Sequence, residues 1–261
     1  MRVITENSLT SVHNFRDCGG LLTATGERIR CGRIYRSGHL DKISQGDLET
    51  LQALGITTIV DLRSGHELRQ RNGWVDERRI HLPMTLDQAV RAQVKPLLWK
   101  RDAADAIIAA VERSYAELIA SARPQFRILF QRLLREESYP LLIHCRAGKD
   151  RTGLASALIQ LALGAPEEAV VQQYLRSNDF VLPRIRRRLI PWRWLTLGRL
   201  PTANFETVFT VQARYLHAAL ATIRAEYGDI AAYVGLTPAE HTHLRRLLLT
   251  TDAPACCPPM I

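Results

Sequence analysis

The apolar run Leu141–Leu142–Ile143 enters from Pro140 and passes through a polar loop into the helical pattern of 152–163. A short buried strand feeding straight into a helix is the join of layered α/β structure, and it limits the chain to that class more than any other feature. The loop between them reads His144–Cys145–Arg146–Ala147–Gly148–Lys149–Asp150–Arg151–Thr152–Gly153. A turn of this kind aims backbone N–H groups at one point, at the positive end of the helix that follows. Ala147 and Gly148 are small enough to let it close as an anion-binding nest.

The rest of the chain repeats the alternation. Ile56–Thr57–Thr58–Ile59–Val60–Asp61–Leu62 is the clearest strand. It follows a helix that starts near Ser44, with Asp47 as a weak capping box, and stops at Gly55. Weaker strands are expected at Arg33–Ile34–Tyr35 and Arg79–Ile80–His81–Leu82, and helices over 103–137 (interrupted at Pro124), 209–226 and 238–249. Thr237, Pro238 and Glu240 supply a cap, an N1 proline and an N3 carboxylate for the last. One α/β domain over 1–250, with a small, mostly parallel sheet flanked by helices, and a flexible tail over 251–261 are expected.

Composition enters as exclusion. With 261 residues, 46% hydrophobic and 23% charged, the chain is neither disordered nor fibrous. The net charge of +9 favours anionic partners. Yet 31 of the 35 basic residues are arginine, and with the many alanines this reads as GC-rich coding rather than nucleic-acid binding. The N-terminus lacks a secretory signal, and no apolar run is long enough to span a bilayer. A cytoplasmic location, or secretion without a classical signal peptide, is the expectation. Five cysteines without a CxxC pair argue against a disulfide scaffold or zinc cluster. Cys18 and Cys31 read as packing residues, and His241 and His243 do not share a helix face as a metal pair would. No metal or other cofactor is called for.

Cys145 at the head of the nest is a nucleophile whose thiolate the loop amides and Arg151 would stabilise. Arg151 can return across the loop and grip two phosphate oxygens as a fork. A lone cysteine after a strand is more often a small buried hydrophobe, but basic residues crowded at a helix start oppose its dipole unless an anion sits there. Nucleophile, anion cradle and counter-charge are the parts of phosphoryl transfer through a phosphocysteine.

His-Cys-x5-Arg-Thr resembles the signature of cysteine-dependent phosphatases. The longer string HCRAGKDRTG resembles the atypical bacterial tyrosine/phosphoinositide phosphatase family, with mycobacterial and listerial members. Asn14–Phe15–Arg16–Asp17 before Gly19–Gly20, Tyr35–Arg36–Ser37–Gly38, and Asp61–Leu62–Arg63–Ser64 before Glu67 fall in that family's order, so the resemblance spans about 13–250. It implies the cysteine-phosphatase fold, and phosphorylated proteins or phosphoinositides as substrates. It further implies that Cys145 is the nucleophile, that Arg151 binds the phosphoryl group, and that the backbone of Arg146, Ala147, Gly148, Lys149 and Asp150 holds its other oxygens. Thr152 would assist thiolate departure and His144 would tune Cys145 from behind. There is no Trp-Pro-Asp loop, so the general acid falls to Asp150, with Asp61 as its rival or as an ion-paired support. Lys149 would reach a second phosphate or an inositol phosphate.

Between Phe180 and Phe205 stand six arginines, Trp192 and Trp194, and no acidic residue. The resemblance makes 179–208 a helical lid, which Pro183, Pro191 and Pro201 are expected to break into short pieces. Basic and aromatic residues together suit an anionic membrane surface, against the alternative of tryptophans packed on the core and solvated arginines. A catalytically weak phosphoinositide-binding module is the other function this sequence would allow.

Overall fold

The computed structural model describes residues 9–69, 76–85, 92–100, 102–197 and 199–252. The tail at 253–261, with Cys256 and Cys257, and the N-terminal eight residues lie outside them.

The centre is a five-stranded sheet in the order β1 (Arg16–Asp17), β3 (Ile34–Ser37), β6 (Leu141–His144), β4 (Thr58–Asp61), β5 (Arg79–His81). All pairs are parallel except β1 with β3. The expected layered α/β architecture with a mostly parallel sheet is therefore present. Register brings Ser37, His144 and Asp61 side by side at the carboxyl ends of three neighbouring strands. That rim is where open α/β sheets bind ligands. β2 (Arg28–Ile29) and β7 (Leu249–Thr250) make a separate antiparallel pair.

Period-two alternation splits the strands between two apolar layers. Ile34, Val60, Leu141 and Ile143 join the larger core under the helices, whereas Tyr35, Ile59 and Leu142 face Leu51 of α1 (Gln45–Ala53). On the larger side, α3 (Ala104–Ser121) buries Ile107, Val111, Tyr115 and Leu118, a helical repeat of threes and fours. The interruption expected at Pro124 is present, with Pro124 in the first turn of α4 (Arg123–Leu133). Around the site lie α2 (Gly65–Arg69), α5 (Arg151–Ala162), α6 (Glu167–Leu175), α7 (Ser177–Leu195) and α8 (Thr202–Phe209). The larger layer is completed by α9 (Ala213–Tyr227), α10 (Ile230–Val234) and α11 (Pro238–Leu248).

Three local expectations need correction. Ser44 caps α1 through the Asp47 N–H, but the Asp47 carboxylate does not close a capping box; it takes the Thr10 and Ser11 N–H groups at 3.0 and 2.6 Å. The helix expected from 209 begins at Ala213, because Phe209 closes α8. Pro183 and Pro191 sit inside a continuous α7. The carbonyls that lose an N–H partner to them belong to Asp179 and Arg187, one turn earlier on the same exposed stripe. Thr237 and Glu240 do form the full capping box expected at α11.

Candidate active site

β6 delivers His144 and Cys145 to the sheet rim, and α5 begins at Arg151. In between, three loop carbonyls are pinned outward. His39 N–H donates to Arg146 O at 3.2 Å, and Asn14 Nδ2 to Ala147 O and Gly148 O at 3.3 and 2.7 Å. Arg36 Nη2 also donates to Gly148 O at 2.7 Å. In a planar trans peptide the C=O and the following N–H point opposite ways, so this pinning turns the amides of Ala147, Gly148 and Lys149 into the concavity. Gly148 has φ +68°, and a Cβ there would lie 2.5 Å from the Ser37 carbonyl. The loop thus curves into a nest whose walls are the segments around Asn14 and Arg36.

Cys145 is a free thiol, 2% exposed, at the head of this nest. Arg151 is also buried, and its fork lies on Glu67, Nη1–Oε2 2.6 Å and Nη2–Oε1 3.0 Å. Arg151 Nη1 also donates to the carbonyls of Leu62 and Met84 at 3.3 and 3.2 Å. Thr152 Oγ1 is buried with no hydrogen-bond partner among the described residues. Burial pushes the His144 imidazole down to about 4, against the opposing pull of Asp61, whose Oδ2 lies 3.7 Å from Nε2. It is therefore neutral at physiological pH.

The two candidate acids differ in setting. Asp61 is fully buried, and both its oxygens are taken by the Arg63 N–H and guanidinium at 2.8–3.2 Å. Burial raises its pKa, but His144 and Arg63 pull harder and hold it below the usual carboxylate range. Asp150 keeps its side chain 20% exposed. Its Oδ1 accepts from Tyr115 Oη at 2.7 Å and from Lys149 Nζ at 2.8 Å. Tyr115 also meets Tyr174 at 2.7 Å between hydroxyls. Burial, with the Asp150 charge, keeps both phenols protonated far above their ordinary range.

Lys149 is buried in the loop. Its ammonium lies on Asp150 and reaches the Val208 and Thr210 carbonyls at the end of α8, at 3.4 and 3.5 Å. Arg146 is the exposed basic residue of the loop. The segment expected as a lid is clamped at its base, where the Asn178 side chain exchanges two hydrogen bonds with the Val211 backbone at 2.8 and 2.9 Å.

A sequence profile of the tyrosine phosphatase family matches residues 7–250. The chain belongs to the tyrosine phosphatase family. It is 34% identical over 86% of its length to a provisionally named tyrosine-protein phosphatase of Cupriavidus necator, covering 81% of that protein. It is 31% identical over 92% of its length to the triple specificity protein phosphatase PtpB of Mycobacterium tuberculosis, covering 98% of it. The catalytic core of the PP-IP phosphatase SIW14 of S. cerevisiae aligns with 72% of the chain at 16% identity and a TM-score of 0.37.

The chain is thus a phosphoric monoester hydrolase of the tyrosine phosphatase family. Several residues that build the site escaped the sequence reading as individuals. Arg16 and Arg36 are buried, and both donate to Ser177 Oγ at the start of α7, at 3.1 and 3.2 Å. Arg16 also donates to Asn14 Oδ1 and lies over the Phe180 ring. Glu67 had a signal of its own: Ser64 and Glu67 form a reciprocal cap at the start of α2, the Ser-x-x-Glu spacing of a capping box. Tyr115 and Tyr174 look like ordinary core residues of two helices, and nothing in their spacing points at Asp150. Among the described residues no cluster of three His, Cys, Asp or Glu could hold a metal ion.

Proposed function

We propose that the protein hydrolyses phosphotyrosine and phosphoinositide monoesters through a phosphocysteine at Cys145. The observation that carries this reading is the convergence of Cys145, the inward-turned loop amides and an Arg151 fork held in place by Glu67. In the first step the Cys145 thiolate attacks phosphorus, the P–O bond to the leaving group breaks, and Asp150 gives its proton to the departing oxygen. Arg151 and the amides take the charge of the three equatorial oxygens. In the second, Asp150 removes a proton from water, water attacks phosphorus, and the P–S bond breaks with Thr152 donating to the thiolate. Asp61 serves as structural support, since Arg63 occupies both its oxygens.

Phosphoinositides enter on two supports. Lys149 stands in the loop, where release from Asp150 would free it for a further phosphate. The similar PtpB is named for triple specificity. The test is phosphate release from a phosphotyrosine peptide and from phosphoinositide vesicles, by wild type and Cys145→Ser. Release from both substrates that vanishes in the variant is expected, as is competitive inhibition by vanadate. Release from the peptide alone would remove the lipid substrate. Release that survives in the variant would overturn the phosphocysteine, and no release from either would return the binding-module reading.

A further inference from the structure

The last turn of α7 and the residues after it break the usual rule for apolar side chains. Ile190, Trp192, Trp194, Leu195 and Leu197 are all exposed within one short stretch, Trp194 by 80% and Leu197 by 84%. Trp99, itself exposed, joins the patch from another segment, 6.3 Å from the Trp192 ring and 5.4 Å from Phe205. The tryptophans of α7 therefore do not pack into the core, and the apolar surface is continuous across two parts of the chain. A contiguous exposed apolar patch of this kind marks an interaction surface.

Charge decides the partner. Between Asp179 and Glu206 the chain has no acidic residue, and Glu206 is already engaged by Arg186 at 2.9 Å. Arg187 and Arg188 are exposed on α7, and Arg199 follows it. Arg188 precedes Trp194 by about 9 Å of helix rise, close to the depth at which an inserted apolar group lies below the phosphate plane. A protein groove would need its own acidic rim to match this order; an anionic bilayer supplies phosphates above and hydrocarbon below. The other end of α7 is fixed, since Arg16 and Arg36 hold Ser177 and the Asn178 clamp closes on Val211.

We propose that the carboxyl end of α7 is a docking surface for an anionic lipid bilayer. Trp192, Trp194, Leu195 and Leu197 enter the headgroup boundary, while Arg187, Arg188 and Arg199 pair with lipid phosphates. The surface is independent of Cys145, so it stands or falls apart from the phosphatase mechanism.

The test is binding of the full chain to phosphatidylcholine vesicles, with and without ~30% phosphatidylserine and with no phosphoinositide present. Wild type is expected to bind the anionic vesicles at least ~10-fold more tightly than the neutral ones, and less tightly as salt rises. Brominated lipid should quench its tryptophan emission, and much less that of the Trp192→Phe/Trp194→Phe variant. Trp194→Ser/Leu197→Ser and Arg187→Gln/Arg188→Gln, with circular dichroism spectra like wild type, should each lose most of the affinity. Cys145→Ser should keep it. Equal binding by wild type and both surface variants, or loss in Cys145→Ser, would overturn the proposal. So would self-association through the patch without vesicle binding.

Discussion

In the proposed mechanism Asp150 carries the leaving-group proton, which requires its carboxyl to be held in place, and Tyr115 is the neighbour that holds it. Tyr115 Oη donates to Oδ1 at 2.7 Å from a fully buried ring, and its hydroxyl stays protonated across the working pH range. Asp150→Asn should lower kcat by about 10²–10⁴ on phenyl phosphate, the range of a lost general acid, and far less on p-nitrophenyl phosphate, whose leaving group needs no proton. Tyr115→Phe should show the same selectivity at smaller size, with KM little changed. An equal loss on both substrates would make Tyr115 a packing residue only. Glu67 is the matching device for Arg151. Glu67→Gln leaves a buried guanidinium with a neutral partner, so unfolding should become easier by ~3 kcal/mol, the scale of a broken buried pair. The misaligned fork should cost kcat ~10–100-fold. Wild-type stability and kcat together in this variant would show that Arg151 orients itself.

At the scale of elements, the loop and the strand beside it are locked by contact rather than by propensity. Gly148 combines a left-handed backbone with a missing Cβ that would meet the Ser37 carbonyl at 2.5 Å. Gly148→Ala therefore adds ~1–2 kcal/mol of backbone strain to a clash that no rotamer relieves. The expected outcome is a soluble protein with a lowered unfolding midpoint and more than ~10-fold weaker vanadate binding, read by inhibition. Unchanged inhibition would mean that the loop keeps its shape without the glycine. The same contacts explain what was legible here. The strand, loop and α5 are contiguous in sequence, so their order could be read from residue types alone. Continuity of α7 was not legible, because the cost of a proline inside a helix is greatest where the freed carbonyl is buried, and Asp179 and Arg187 are exposed.

Over the whole molecule, the parallel sheet gathers the site from parts that the sequence keeps far apart. Asn14 and Arg36 bond the outer carbonyls of a loop more than a hundred residues later, and Glu67 reaches Arg151 across 84 residues. A sequence of alternating strands and helices shows that some crossover will bring such segments to one rim, but not which polar side chain meets which. That is why Cys145 and Arg151 stood out together in the sequence and the side chains around them did not. Burial of this rim also sets the acid limb of the stability curve. His144 titrates at about 4 when folded, against 6.5 as an ordinary histidine, because burial disfavours its charge. Above pH 6.5 neither state binds the proton, and the contribution of His144 to stability is complete. As pH falls from there, the unfolded chain takes up a proton that the folded one refuses. Stability should therefore drop by up to about 1.4 kcal/mol per pH unit until the folded pKa is reached. Below it, Asp61, Asp47 and Asp76, all held lower than ordinary carboxyls, lose their stabilising charge in turn. Denaturant unfolding measured from pH 8 to 4 on wild type and His144→Gln should give parallel curves above 6.5 and a steeper wild-type fall below it. Parallel curves throughout would mean that the buried imidazole accepts its proton in place, with Asp61 as the partner that allows it.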